Sequence, residues 1–414
     1  THATDTMPLD RLTAVLESDV AALEAAGTAK GAEQVVVAAL PPEGDRGPRF
    51  RLQGEGEREF IRMNSNSYLG LGLRKEIMEA EEEGTRRYGA GPGAVRFISG
   101  TYDVHVELER RLAAFHGREA AMIFSSAYAT IVSAIVPLVT KETVLVSDEL
   151  NHNCIINAMK LARPAGKAIY AHNDVADLEA ALDSWVGKAR RAIVTTDGIF
   201  SMRGDHAPLD EIVAVCRRFD EHFEENVVLF VDDSHGVGAF GDTGRGVEEY
   251  VGAEGVDVLV GTLGKAFGVN GGYVVSNGAL IRFLRESSPM YIYSNPITPG
   301  EAHAARVAVD FVDSAEGRAA LAHLRALTKR FEEGLGRIGI ETIPGDHPVV
   351  PLMIRDTART KAMVKHLFEH GVLVTGLTYP VVPKGDEEIR AQINADHTEA
   401  DVDRVLEILE AFEG

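Results

Sequence analysis

The sequence predicts an α/β protein with a mostly parallel central sheet, helices on both faces of that sheet, and a small C-terminal α+β domain. Two observations support this fold class. In the middle of the chain, short runs rich in β-branched residues alternate with longer amphipathic stretches, which is typical of β-α-β units. After residue 299, a long helical stretch and widely spaced strands replace that alternation. A chain of 414 residues with 45% hydrophobic residues can bury a core of this size.

The predicted elements begin with an N-terminal arm. Apolar residues recur at helical spacing over residues 9–26, and prolines and glycines cluster over residues 39–47, so we assign residues 1–60 to a helical arm and a linker. Residues 61–299 form the large domain, in which helices such as 175–189 and 209–221 connect the strands. The seven strands predicted there span residues 121–124, 143–147, 168–171, 192–196, 227–232, 258–261 and 272–275.

Residues 300–414 form the predicted small domain. We expect one long helix up to Leu335 and a closing helix over residues 399–412. Between them we expect strands near Ile340, Val350, Val372 and Ile389. Because ligands of an open parallel sheet bind beyond the carboxyl ends of its strands, we expect the functional site in the large domain.

Composition excludes several classes of function. The 42 basic and 63 acidic residues leave a formal charge of −21, which repels a nucleic-acid backbone. No stretch reaches the roughly 18 apolar residues that span a bilayer, and residues 1–10 lack a secretory pattern. The two cysteines, Cys154 and Cys216, are too few for a disulfide framework or a cysteine-based metal site. We therefore expect a cytoplasmic protein that binds neither nucleic acid nor membrane and holds no metal.

Lys265 is the first candidate for chemistry. It lies in a glycine-rich turn after an apolar strand, and a lysine held at the edge of a sheet suits Schiff-base chemistry. The turn does not match a phosphate-binding P-loop, because Ala266 stands where that motif requires Ser or Thr. Taken alone, Lys265 is equally consistent with a solvated loop residue.

A second group of candidates follows the strand at residues 227–232. Asp232 ends that strand and His235 comes three residues later. A carboxylate against the pyridinium nitrogen of pyridoxal 5′-phosphate (PLP) makes the ring an electron sink, and an imidazole can bond its phenolic oxygen. Asp and His together also suit a metal, but no third ligand stands at a suitable spacing. Together with Lys265, these residues predict a PLP enzyme.

Two further segments supply groups for this cofactor. Residues 125–128 lie between a strand and an apolar helix that starts near Ala129, where free backbone N–H groups would receive a phosphate. Thr262 could add a hydroxyl group, although serine-rich turns also simply cap helices. His152 follows the strand that ends at Ser147, from where its imidazole could stack on a planar ring.

Six motifs along the chain resemble those of the α-oxoamine synthases, which are fold-type I PLP enzymes that join an amino acid to an acyl-CoA thioester. The motifs span residues 66–71, 93–101, 147–152, 196–202, 231–235 and 261–265, and the resemblance covers residues 9–412. Within the family, residues 374–376, 379–385 and 389–390 with 397–398 are most similar to the signature of the glycine C-acetyltransferase (2-amino-3-ketobutyrate CoA ligase) group.

The resemblance implies the PLP-dependent aminotransferase-like fold and assigns roles to individual residues. The catalytic residues would be Lys265, His152, Asp232 and His235. The cofactor would be held by Ala127, Tyr128, His152, Ser201, Asp232, His235, Thr262, Lys265 and Ser294. Asn66 and Arg390 would bind the substrate, with Arg390 gripping its carboxylate as a bidentate fork. Ser294 would reach the phosphate in the partner subunit, which implies a homodimer with shared active sites.

The predicted reaction is C-acyl transfer. Glycine or another small amino acid condenses with an acyl-CoA to give an α-amino ketone or a β-keto amino acid and CoA, with or without loss of CO₂. An aminotransferase or a lyase of the same fold would use Lys265 and Asp232 without a thioester. A non-catalytic partner subunit would have lost the lysine. The chain departs from the family at Ile131, where Asn is usual, in the loop after Lys265, which is about one residue short over residues 268–272, and at Leu377 and Thr378, which replace a bulkier aromatic pair. We expect all three places near the substrates.

Overall fold

A computed structural model describes residues 9–413. The strands are β1 (Val36–Leu40), β2 (Arg49–Leu52), β3 (Ile61–Arg62), β4 (Ala120–Phe124), β5 (Thr143–Asp148), β6 (Gly166–Tyr170), β7 (Arg191–Asp197), β8 (Val227–Asp232), β9 (Val258–Thr262), β10 (Gly272–Ser276), β11 (Val349–Met353), β12 (Val372–Leu373), β13 (Thr375–Leu377) and β14 (Glu388–Gln392). The helices are α1 (Asp10–Ala25), α2 (Lys75–Tyr88), α3 (Asp103–Phe115), α4 (Ala127–Leu138), α5 (Asn153–Leu161), α6 (Val175–Asp183), α7 (Leu209–Phe219), α8 (Val247–Val251), α9 (Gly278–Ser287), α10 (Pro289–Ile292), α11 (Pro299–Val312), α12 (Ala315–Arg337), α13 (Thr357–Glu369) and α14 (Glu399–Glu410).

The centre of the molecule is a seven-stranded sheet in the order β4-β10-β9-β8-β7-β5-β6. Strands β5 to β9 run parallel, and β10 lies antiparallel to both of its neighbours. All seven strands predicted for the large domain are present, with ends that differ by two residues at most. The prediction of a mostly parallel sheet is confirmed.

Alternate side chains along the central strands point to opposite faces of the sheet, and each set enters its own apolar core. The central strands are therefore buried on both faces. Leu145, Ile193 and Phe230 belong to the core that α4, α5 and α9 cover. Val146 and Val194 belong to the larger core, which α2, α3, α7 and α11 cover. Helices on both faces of the sheet are thereby confirmed.

Several strands present polar side chains at the same edge of this sheet. Asp148, Asp197 and Asp232 are the last residues of β5, β7 and β8, and Thr262 ends β9. Asp197 and Asp232 stand directly opposite one another in the β7–β8 register. The fold therefore collects carboxylates at the edge where ligands of parallel sheets bind.

Two expectations for the C-terminal region are wrong. The predicted long helix is two helices, α11 and α12, because the side chain of Ser314 caps a new helix by accepting the N–H of Gly317 at 3.1 Å. Near Ile340, the described chain forms only an isolated bridge between Thr342 and Leu352 instead of a strand. The other expected strands are present in an antiparallel sheet, β11-β14-β13, and in β12.

The N-terminal part also differs from its prediction. The arm is helical as expected, but the predicted linker lies within an antiparallel pair, β1 and β2. Strand β3 pairs in parallel with β12, and α11 packs against α2 and α3. The divisions at residues 60 and 299 remain a prediction. Among the helices of residues 9–413, not one has both the length and the hydropathy needed to cross a membrane.

Candidate active site

A cleft opens at the carboxyl edge of the large sheet. Seven of the nine residues predicted to hold the cofactor line it, namely Ala127, Tyr128, His152, Ser201, Asp232, His235 and Lys265. Its wall is completed by Cys154, Asp197, Ile199 and Ser234. The fold thus brings together residues from five separate segments of the chain.

Lys265 and His235 form the centre of the cleft. Lys265 Nζ lies 2.8 Å from His235 Nε2, and His235 Nδ1 lies 2.6 Å from the hydroxyl oxygen of the buried Tyr68. Burial lowers the pKa of Lys265, against the opposing charge of Asp232, because the low-dielectric surroundings favour the neutral amine. A lysine with a lowered pKa is a better nucleophile and proton acceptor at neutral pH.

His235 is held in place from its backbone as well. The carbonyl oxygen of His235 accepts a hydrogen bond of 2.8 Å from Nε2 of the buried His347. Burial lowers the pKa of His235 well below its ordinary value, and the charge of Lys265 lowers it further. The imidazole of His235 is therefore a neutral hydrogen-bonding group.

Asp232 is fixed by the turn that follows β8. Its Oδ1 accepts hydrogen bonds from the backbone N–H of Ser234 at 3.1 Å and from the Ser234 hydroxyl at 2.6 Å. The thiol sulfur of Cys154 lies 3.6 Å from Oδ2. Both hydrogen bonds from Ser234 use Oδ1, which leaves Oδ2 for a cofactor group in the cleft.

His152 caps helix α5 and bonds to the neighbouring strand. Its ring Nδ1 accepts the backbone N–H of Cys154 at 3.2 Å. The backbone N–H of His152 donates to Asp197 Oδ2 at 2.9 Å. The other oxygen of Asp197 is buried and has no partner in the part of the chain that the structure describes. Burial raises the pKa of Asp197 well above its ordinary value, and the charge of Asp232 adds to this.

Sequence reasoning missed Asp197 as a site residue. The available signal was its position, because it directly follows the strand predicted at residues 192–196. In a parallel sheet, such a residue shares an edge with Asp232.

Helix α4 begins at the cleft and presents free N–H groups there. It starts two residues earlier than predicted, with Ser126 as its cap, since Ser126 Oγ accepts the N–H of Ala129 at 3.0 Å. The N–H groups of Ala127 and Tyr128 have no acceptor among residues 9–413. Free N–H groups at a helix start form an anion site. This arrangement fits the predicted phosphate contacts.

Thr262 and Ser294 do not line this cleft. The Thr262 hydroxyl donates to the carbonyl oxygen of Gly271 at 3.1 Å and accepts the N–H of Gly264 at 3.1 Å. It therefore shapes the turn that carries Lys265. Ser294 is partly buried, next to the strongly exposed Tyr293. The contacts of both residues with a phosphate remain predictions.

The two predicted substrate residues lie together. Arg390, on β14, donates from Nη2 to Asn66 Oδ1 at 3.2 Å, while Arg390 Nε is buried without a partner among the described residues. Burial lowers the pKa of Lys265 and Asp232 raises it, and the positive charge of Arg390 lowers it further. Arg390 is therefore close enough to the cleft to attract a substrate carboxylate.

The positions at which the chain departs from the family have different surroundings. Ile131 is fully buried in the core beneath α4 and is not among the residues that line the cleft. Leu377 ends β13 and stands opposite Glu388 on β14, which also carries Arg390. Of these two positions, only Leu377 lies on an element of the candidate substrate site, and its nearness to a substrate remains a prediction.

The groups in the cleft fit pyridoxal phosphate on three counts. Lys265 offers an amine to an aldehyde, Asp232 offers a carboxylate to a ring nitrogen, and the start of α4 offers free N–H groups to a phosphate. No cluster of three or more metal-ligating side chains occurs within residues 9–413.

Comparisons with known proteins agree with this chemistry. The family model for aminotransferase class I and II matches residues 58–409. The mitochondrial 2-amino-3-ketobutyrate coenzyme A ligase of Bos taurus is 37% identical over 401 residues, which cover 96% of this chain and 91% of the relative. The 8-amino-7-oxononanoate synthase of Bacillus pumilus is 38% identical over 356 residues, which cover 86% and 88%.

Solved structures give the same picture. Serine palmitoyltransferase of Sphingomonas wittichii superimposes with a TM-score of 0.84 at 27% identity and covers 98% of both chains. A high-resolution structure of SPT with PLP as its internal aldimine also has a TM-score of 0.84, at 26% identity, and covers 98% of both chains.

Proposed function

Because the chain belongs to the α-oxoamine synthases, the PLP-dependent acyltransferases within the aminotransferase class I and II family, we propose that its cleft joins an amino acid to the acyl group of an acyl-CoA. The amino acid is glycine or another small one, and the products are CoA and an α-amino ketone or β-keto amino acid. The observation that carries this proposal is the convergence of Lys265, Asp232 and His235 in one cleft beside a helix start.

Each of these residues has a role in the proposed reaction. When bound, PLP withdraws electrons from the α-carbon of an attached amino acid and so acidifies its α-hydrogen. Lys265 Nζ, with its lowered pKa, accepts that proton. Asp232 would hold the proton on the ring nitrogen of the bound cofactor, and His235 Nε2 orients the amine of Lys265 across 2.8 Å. His152 would stack on the ring, and Ser201 would lie near its phenolic oxygen.

Arg390 and Asn66 form the proposed amino-acid contact. Arg390 Nε is buried and has no partner among residues 9–413, so a substrate carboxylate would satisfy it together with Nη2. On this proposal, the bond to Asn66 holds the guanidinium group in the orientation that a carboxylate needs. On this proposal, the side chains around β13 and β14 determine which amino acid binds.

We further propose a cytoplasmic homodimer whose subunits share their active sites. Several large apolar side chains are strongly exposed on the single chain, among them Phe97 at 61%, Ile98 at 65% and Tyr293 at 81%. Large apolar side chains exposed to this extent favour a protein interface, and Ser294 follows Tyr293 directly. Sedimentation of wild-type protein should give a dimer that Tyr293→Glu dissociates, and a monomeric wild type would contradict this proposal.

The cytoplasmic location rests on the cysteines. Both cysteines are buried free thiols, which suits a reducing compartment.

The experiment that tests the function measures absorbance and thiol release together. Purified holoenzyme receives glycine, alanine, serine and glutamate one at a time, followed by acetyl-CoA and longer acyl-CoAs. We expect one amino acid to shift the cofactor absorbance near ~420 nm, and thiol to appear only after the acyl-CoA is added. Lys265→Ala should release no thiol and serves as the control. Conversion of the cofactor to its pyridoxamine form without any thioester would instead indicate an aminotransferase.

A further inference from the structure

One wall of the cleft is a short closed loop, residues 199–206, which we call the Ser201 loop. Ile199 and Ser201 line the cleft. The base of the loop is a bridge between Ile199 and His206, and the N–H of Phe200 donates to the carbonyl oxygen of Asp205 at 2.9 Å. The loop is therefore a compact unit whose position depends on what holds its base.

The imidazole of His172 joins this loop to the sheet. His172 lies just after β6, with Nδ1 3.1 Å from Asp148 Oδ1 and Nε2 2.8 Å from Asp205 Oδ2. Its ring stands edge-on to the ring of Phe200, with centroids 4.4 Å apart. Because both nitrogens face carboxylates, the ring donates two hydrogen bonds only in its protonated form.

The carboxylate on the other side of the bridge belongs to the turn that leads to His152. Asp148 ends β5, and its Oδ1 also accepts the N–H of Leu150 at 2.8 Å. Oδ2 accepts the N–H of Asn173 at 2.9 Å, and the Asn173 side chain donates to the carbonyl oxygen of His206 at 3.1 Å. The turn after β5 and the Ser201 loop are thus bonded to the same two residues, His172 and Asn173.

Four charged groups surround His172. Besides Asp148 and Asp205, Glu149 accepts its backbone N–H at 3.0 Å, and Arg203 Nε lies 3.6 Å from Asp205. Burial alone would lower the pKa of His172, but the hydrogen bonds and charges of Asp148 and Asp205 outweigh it and raise the pKa to about 9. At neutral pH the bridge is therefore closed by a cation between two carboxylates.

We propose that His172 is a positioning residue whose imidazolium ties the Ser201 loop to the turn carrying His152, and thereby sets both side chains against the cofactor. The identity of the cofactor rests on the proposed function. The bridge itself rests on the contacts of His172 within this chain.

The first test measures the loop without the cofactor. Hydrogen exchange of residues 199–206 is compared in the apoproteins of wild type, His172→Gln and Asp205→Asn. We expect both variants to exchange at least tenfold faster there while the strands β7 and β8 keep their protection. Asp205→Asn keeps the histidine, so it tests the bridge even if His172→Gln folds poorly. Unchanged exchange in a folded variant would overturn the proposal, whatever reaction the enzyme catalyses.

The second test measures cofactor binding against pH in the holoenzyme. A histidine whose pKa is raised in the folded state stabilises the bridge fully below its ordinary pKa near 6.5, and this contribution is lost as the pH rises through about 9. Wild type should therefore release PLP more readily between pH 8 and 10. His172→Gln should bind PLP about tenfold more weakly at pH 7, and this weakening should shrink toward pH 10.

A matched control separates the bridge from general effects of substitution. His206→Gln changes a histidine of the same loop whose Nδ1 has one hydrogen-bond partner among the described residues, the carbonyl oxygen of Ala207 at 3.0 Å. Its ring packs edge-on against Tyr250, outside the bridge. We expect its PLP affinity and its pH profile to match those of wild type. Equal losses of PLP affinity in His206→Gln and His172→Gln would overturn the specific role of His172. A wild type that binds no PLP would contradict the proposed function, and the hydrogen-exchange test would then decide whether the bridge positions the loop.

Discussion

Lys265 shows how its surroundings set the chemistry of a single side chain. Its side chain is half-buried, and burial lowers its pKa, while Asp232 opposes that effect and Arg390 reinforces it. The contact with His235 Nε2 fixes the direction of the amine at 2.8 Å. A lysine elsewhere on this acidic surface would have neither property.

Replacement of Asp232 by asparagine tests the role of its charge. Asp232→Asn keeps the shape of the side chain but cannot hold a proton on a ring nitrogen, so we expect kcat to fall by about 10²-fold or more. PLP should stay bound, because the phosphate contacts that we propose are on α4. Steady-state kinetics and the cofactor absorbance check both points. Asp242→Asn, at an exposed position, is the control, and an active Asp232→Asn enzyme would contradict the assignment.

Glu388 should make stability depend on pH. This residue is buried on β14, and burial raises its pKa to about 7. Such a carboxyl group stabilises the fold fully below its ordinary pKa of 4.5, and this contribution is lost as the pH rises through about 7. Glu388→Gln should therefore be more stable than wild type at pH 8, by up to about 3 kcal/mol. Urea unfolding at pH 5 and pH 8 measures this, with Glu410→Gln as an exposed control that should show no difference.

The sequence predicted some residues of the site and could not predict others. Lys265, Asp232 and His235 were accessible because each follows a recognisable strand and carries a motif. Tyr68 and His347 were not, because their contacts with His235 cross 167 and 112 residues of chain. Contacts of that separation depend on the packing of the two regions, which no local pattern records.

The strands of the large sheet were predicted to within two residues of their observed ends. The strands of the large sheet are apolar on both faces and stand out as short runs between helices. The break between α11 and α12 was missed because apolar spacing continues on both sides of it. The break depends on the Ser314 cap and on Gly317, where a Cβ atom would lie 2.2 Å from the carbonyl oxygen of Phe311.

Gly272 should control the position of α4, the helix whose start we propose as the phosphate site. A Cβ atom there would lie 2.4 Å from the backbone nitrogen of Ala127, so backbone must move to admit it. We expect Gly272→Ala to lose about 1–3 kcal/mol of stability and to bind PLP at least tenfold more weakly. Gly91→Ala is the control, because nothing lies within 4 Å of its added Cβ atom. Thermal unfolding and equilibrium dialysis provide the two readouts, and normal PLP affinity in Gly272→Ala would contradict this account of α4.

At the scale of the whole molecule, net charge opposes one of the two substrates. The formal charge of −21 repels the phosphates of an acyl-CoA, and added salt screens that repulsion. We expect kcat/KM for the acyl-CoA to rise about two- to threefold between roughly 20 and 200 mM salt. A thioester that lacks the nucleotide should show no such change. A fall with salt would instead reveal a basic channel that attracts CoA.

The central claim is that this enzyme forms a carbon–carbon bond between an amino acid and an acyl group. The most direct measurement is mass spectrometry of the product made by holoenzyme from the preferred amino acid and an acyl-CoA labelled with ¹³C at the carbonyl carbon. We expect the label in an amine product, bonded to the former α-carbon, with one CoA released for each product molecule. A 2-oxo acid formed from the amino acid without label and without release of CoA would contradict the claim.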